Sequence, residues 1–238
     1  VESSVVSTIF LTSDSTKGEV RRFLRKNLTS VDRIISFLSP DYDPLTNEYA
    51  ALWLRNMSED YSTKTTLANN PDAVTNLINM LSVNDPDAVF NAVGTIDKLV
   101  SDYQPRKIVR ELNGIEPVLA LIKSEFPQIL EAAFSALAKL TQNAENREAF
   151  REMGGLEKLV DFLADAEQKT MHIHCLNVLS NCLEDTQCLD VGAALRYSLH
   201  MPSLTSLLIT PFFCYLKLIQ QTGGLTKILA YCQDLSEN

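Results

Sequence analysis

One short phrase comes round again and again in this chain. VDRIISFL begins at Val31, VTNLINML at Val74, IEPVLALI at Ile115, LEKLVDFL at Leu156 and LTKILAYC at Leu225. In each, apolar residues stand at i, i+3, i+4 and i+7, the spacing of one helix face. The first four starts lie 43, 41 and 41 residues apart, and the fifth follows after 69. A helical unit of this size cannot bury its apolar face alone. Successive units must therefore stack, each covering its neighbour.

The rest of each unit keeps the same beat. Pro44, Pro86 and Pro127 stand 42 and 41 residues apart, where a fixed φ and a missing N–H suit the first position of a helix. Long helices are expected over 45–58, 87–101, 128–142 and 170–184. In the third of these, Leu130, Ala133, Phe134, Leu137 and Leu140 form one apolar stripe. A further short helix is expected in EVRRFLRKN, PRKIVRELNG and NREAFREMGG, each running into an Asn or Gly able to take the left-handed conformation that ends a helix. Each unit thus holds three helices. Val74, Leu77, Ile78, Ile115, Val118, Leu119, Leu156, Leu159 and Val160 are the expected core between units. A compact bundle is the rival architecture, and strict periodicity speaks against it.

Three helices in about 41 residues, with Gly between the first and second, resembles the armadillo repeat family. The phrases VRELNGIEPVLALIKSEFP, LWLRNMSEDYSTK, NCLED and IQQTGGLTKILAY are similar in order and spacing to the N-terminal repeats of members from ciliated and sperm cells. The resemblance implies an all-α, right-handed α-solenoid forming one domain over 1–238. Repeats are placed at 17–58, 60–101, 103–142 and 144–184. A partial unit precedes them at 1–13, and a broken fifth repeat occupies 186–238.

The long fifth interval has a local cause. Without residues 191–217, a stretch of 27, the repeat spacing is restored. That stretch, VGAALRYSLHMPSLTSLLITPFFCYLK, is rich in residues that pyrimidine-rich codons specify. It opens on Val, whose codons start GT, and closes on Lys, which AAG encodes. A translated intron is the expectation, with a surface insertion as the alternative. As a membrane span it is poor. A span needs about 20 apolar residues, and this run is cut by Pro211, with His200 and Lys217 at its edges.

Charge and cysteine usage narrow the function. The net charge of −9 argues against nucleic acid, whose binders carry a basic footprint, and against an anionic membrane surface. Five cysteines, an odd number without a CxxC pair, fit a reducing compartment. VESSVVSTIFLTS has no signal-peptide pattern, and a chain that opens on Val is expected to be a fragment or a processed product. No phosphate loop and no nucleophile elbow occur. His172 and His174 in MHIHC are two apart and so face different sides of a helix, which does not suit a shared metal. Neither a cofactor nor a metal is expected, and no catalytic set is found.

An α-solenoid lines a continuous groove with its third helices. Equivalent positions on them give one row of Asn56, Lys98, Lys139 and Asn181, and one turn earlier a second row of Leu52, Gly94, Ser135 and Asn177. In the family, a Trp and an Asn one turn apart grip extended peptides. Here the Asn position holds Asn56, whereas the Trp position holds Leu52. Trp53 is one step round, where packing is its expected role. The resemblance thus implies a cytoplasmic scaffold of cilia or flagella that binds an extended or helical segment of a protein partner. The alternatives are an adaptor of the outer-dynein-arm docking type or a regulatory piece of a larger enzyme chain. Lys98 and Lys139 suggest that the bound segment is acidic, with the basic first helices around Arg106, Lys107 and Arg110 as the other docking place.

Overall fold

The computed structural model describes residues 31–164 and 166–182, and every described element is helical. The expectations for 1–13, for EVRRFLRKN, for the broken repeat over 186–238 and for the insertion at 191–217 lie outside the described residues. In chain order the α-helices are α1 (Val31–Ser36), α2 (Pro44–Met57), α3 (Tyr61–Ala68), α4 (Pro71–Met80), α5 (Pro86–Leu99) and α6 (Tyr103–Glu111). They continue with α7 (Ile115–Ala120), α8 (Pro127–Leu140), α9 (Ala144–Glu152), α10 (Gly155–Ala164) and α11 (His172–Cys182).

The third helices of the repeats, α2, α5, α8 and α11, pack side by side, and the α2–α5 and α5–α8 seams are the most extensive among the described elements. Each second helix, α1, α4, α7 and α10, lies on the third helix of its own repeat. The core is the space between these two layers. Val74, Leu77, Ile78, Ile115, Val118, Leu119, Leu156, Leu159 and Val160 are all buried there, as are all five residues of the stripe on α8. The repeat period therefore does what the sequence demands of it: faces too small to bury themselves are covered by the next unit.

Pro44, Pro86 and Pro127 each open a third helix, one residue before the expected starts. The fourth helix differs. A 3-10 stretch over Ala166–Met171 precedes it, with Gln168 out of helical geometry at φ −97° and ψ 20°, so α11 begins at His172 and not at residue 170. The expected ends overshoot by one or two residues because Ser58, Val100 and Thr141 are C-caps. Two of these caps turn their hydroxyls inward: Ser58 Oγ donates to the Leu54 carbonyl at 2.6 Å and Thr141 Oγ1 to that of Leu137 at 2.8 Å.

The first helices end as expected. Asn113 (φ 56°) and Gly154 (φ 67°) both take the left-handed conformation, and Gly114 N–H closes the turn on the Val109 carbonyl at 2.8 Å. At Gly155 the need is space. A Cβ there would lie 2.5 Å from the Phe150 ring, so the junction of α9 and α10 packs directly on that side chain.

The stack is also pinned by polar groups. Arg106 on α6 donates from Nε to the Val100 carbonyl at 2.8 Å and from Nη2 to that of Ser101 at 2.9 Å. One repeat on, Arg147 on α9 donates from Nη1 to the carbonyls of Thr141 at 3.0 Å and Gln142 at 3.2 Å. Both arginines thus close the C-terminal end of the preceding third helix, where a cation also meets the negative end of the helix dipole. Arg106 Nη1 reaches Asn143 Oδ1 at 3.2 Å, and Asn146 Nδ2 donates back to the Arg106 carbonyl at 3.2 Å and to that of Leu140 at 3.0 Å. Arg106 is therefore a structural cap and not a solvated docking cation. Burial lowers its pKa, against an opposing pull from Asp102.

One cap breaks the pattern. The side chain of Asp43 caps α2 and that of Asp85 caps α5, whereas α8 has Phe126 at that position, with no side-chain cap bond and 48% exposed. The backbone there (φ −94°, ψ 113°) nearly coincides with that of Asp85 (φ −94°, ψ 111°). Phe126→Asp should therefore add a cap and stabilise the fold by about 0.5–2 kcal/mol, read as a higher urea midpoint. Leu159→Ala, by contrast, empties a fully buried site and should cost about 2–5 kcal/mol in the same titration.

Candidate functional site

The exposed edges of α2, α5, α8 and α11 form a surface made of rungs, one per repeat. Between α8 and α11 it deepens into an open cleft of about 370 Å³. Four of the eight sequence-derived groove residues, Ser135, Lys139, Asn177 and Asn181, line this cleft together, with Glu131, Gln142 and His174 among their neighbours. Leu52, Asn56, Gly94 and Lys98 lie one or two helices away, on α2 and α5. Asn56 and Gly94 are buried, Leu52 and Lys98 are half-buried, and Asn177 is exposed.

The Asn row does more than face outward. Lys139 Nζ donates to Asp97 Oδ1 at 2.7 Å and to the Asp97 carbonyl at 3.0 Å. Asn181 Nδ2 donates to the Ala138 carbonyl at 2.5 Å and to Thr141 Oγ1 at 3.2 Å. Asp97 and Ala138 are equivalent positions 41 residues apart, so each of these rungs reaches back to the same place on the preceding third helix. Lys98 pairs with Glu59 at the end of α2. The acid preference inferred from Lys98 and Lys139 thus needs correcting at those residues, because both ammonium groups already hold a carboxylate.

The sequence reading passed over Arg55. It lies one step round from Asn56, and its guanidinium carbon sits 4.3 Å from the centroid of the Phe90 ring on α5. Its stem rests against Gly94, where a Cβ would come within 2.6 Å of Arg55 Cδ. The available signal was the glycine itself, since a rung without a side chain admits a neighbour from the adjacent helix. Towards the N-terminal ends of these helices the surface turns acidic: burial raises the pKa of Glu48, and the charges of Asp85 and Asp87 add to the effect.

Trp53 is 2% exposed, so it packs in the core, as its position off the groove row implied. Cys175 and Cys182 are buried, and burial drives the Cys175 thiol strongly upward, which keeps it protonated and inert. Among the described residues no group of three or more His, Cys, Asp and Glu could hold a metal ion. No described helix is long and apolar enough to cross a membrane.

Residues 102–142 match the family model of the armadillo/beta-catenin-like repeat. Human armadillo repeat-containing protein 3 is 32% identical over 220 residues, which is 92% of this chain. The chain belongs to the armadillo repeat family. It spans only 22% of the length of that relative, and 12% of human armadillo repeat-containing protein 2, to which it is 28% identical over 42% of its own residues. Among solved structures, a designed armadillo repeat protein in complex with the peptide (KR)4 superposes with a TM-score of 0.68 at 16% identity, covering 88% of this chain and 91% of that one. This armadillo chain is thus an α-solenoid with a polar groove whose two lysines, Lys98 and Lys139, are paired.

If Lys139 and Asp97 join repeats, their coupling is measurable. Their side chains are 28% and 18% exposed, so a double-mutant cycle with Lys139→Met and Asp97→Asn should give about 0.2–1 kcal/mol, shrinking in molar salt. Changing both Lys98 and Lys139 to Glu would set carboxylate against carboxylate at the Glu59 and Asp97 contacts and lower the melting temperature.

Proposed function

We propose that the chain is a non-catalytic scaffold that binds an extended or helical segment of a protein partner along the groove of its third helices. The cleft between α8 and α11 carries this reading. It is open to solvent and lined by amides, hydroxyls, an imidazole and a carboxylate, groups that can bond to a peptide backbone whatever its side chains. The fold supports it too, since a designed armadillo repeat protein of the same architecture was solved with a peptide bound. The resemblance to members from ciliated and sperm cells supports a place in the cytoplasm of cilia or flagella. An adaptor of the outer-dynein-arm docking type is the second form of the same reading. The preference for an acidic segment rests on Arg55 and is argued below.

Ser135→Trp tests the groove. The position is half-buried at the cleft wall, so an indole would fill the cleft without entering the core. Cross-linking of wild type and variant in ciliated-cell extract, with helicity checked by circular dichroism, should recover a stoichiometric partner cross-linked on α8 or α11 with wild type only. Equal recovery with the folded variant would place the partner elsewhere and overturn the reading.

A further inference from the structure

The groove holds three cations on α2, α5 and α8, and they are not in the same state. Lys98 and Lys139 are held by Glu59 and Asp97. Arg55 makes no hydrogen bond or ion pair with any described residue, and its buried Nη1 is without a partner. This is anomalous in a chain of net charge −9, where acids outnumber bases and Arg106 uses Nε, Nη1 and Nη2 as hydrogen-bond donors. Burial lowers the pKa of Arg55 with no carboxylate opposing it.

Its setting is built. The stem occupies the room that Gly94 leaves, and the guanidinium lies over the Phe90 ring. Phe90 precedes Gly94 by one turn, so both stand on the groove face of α5. A guanidinium stacked on an aromatic face is fixed in orientation, and with Nη1 buried the Nε–Nη2 edge is the one that can meet a carboxylate through two parallel bonds. The stack with Phe90 also lowers the entropy lost when an anion arrives.

We infer that Arg55, seated on Phe90 and Gly94, is the groove's receptor for a carboxylate of the bound segment, an acidic side chain or a C-terminus. The inference rests on the groove reading above and sharpens it: the segment is acidic where it crosses α2 and α5. The partner's anion would compensate a partly desolvated cation, and close charge pairs of this kind can couple strongly across an interface.

The test uses the full chain, a fluorescein-labelled octapeptide alternating Glu and Ala, and matched peptides with Gln or Lys in place of Glu. Anisotropy at low salt should rank the Glu peptide first. Arg55→Gln should weaken it by about tenfold or more and leave the Gln peptide unaffected. Arg55→Lys should restore only part of the affinity, because an ammonium cannot make the paired bonds. Gly94→Ala is the second variant. Alanine favours the helix over glycine, yet its Cβ pushes the arginine stem off its seat, so helicity should be kept while affinity for the Glu peptide falls. Ser135→Trp separates the two readings. If Ser135→Trp abolishes binding and Arg55→Gln does not, the groove stands and the carboxylate receptor is overturned. If neither changes binding, the groove reading falls as well. A preference for the Lys or Gln peptide, or no binding of the Glu peptide, also overturns the receptor.

Discussion

The carbonyls at the C-terminal ends of α5 and α8 are the groups on which this stack depends. A helix leaves its last carbonyls without intrahelical partners, and here they fall at a seam between repeats, where water is scarce. Thr141 is 1% exposed. Leaving such a group unbonded costs about 1–3 kcal/mol, comparable to losing a well-packed side chain. Arg106 and Arg147 supply the missing donors from the following repeat. Apolar burial supplies most of the driving force for stacking, but it is non-directional. The arginine caps, with Asn143 and Asn146 beside them, set the register in which the faces meet.

That register decides what the groove can offer. Rungs near a seam are drawn into holding it together, as Lys139 and Asn181 are through Asp97 and Ala138. What remains for a partner is what the seams do not use: the outward amide of Asn177, the cleft beside it, and a guanidinium lying where one rung has no side chain. Lys98 and Lys139 are already matched, so neither is left over for a partner.

Much of this was legible in the residues. The 41-residue beat, the prolines at the helix starts and the Asn or Gly at the ends of the short helices each encode a local rule, and local rules are read without knowing neighbours. Asn113 and Gly154 took the conformation expected of them. The groove rows were legible as positions but not as chemistry. Whether Lys139 is free depends on Asp97, 42 residues earlier, and no periodicity reports which carboxylate lies across a seam. Arg55 was hidden for a related reason, since a residue one step off the row enters the groove only because Gly94, on another helix, is bare. The start of α11 was misplaced because it lacks the proline that opens the other three.

The caps all run one way. Each arginine belongs to the repeat that follows the helix it closes, and Lys139 and Asn181 likewise reach backward along the chain. The described stack is therefore directional, as a polar filament is: each seam closed in this way has an acceptor side and a donor side. Two like ends brought together would set acceptor against acceptor or cation against cation. Growth of such an architecture, whether by gene duplication or by grafting, is therefore head to tail. At such a seam the following unit brings the arginine and the preceding one brings the helix end that it closes.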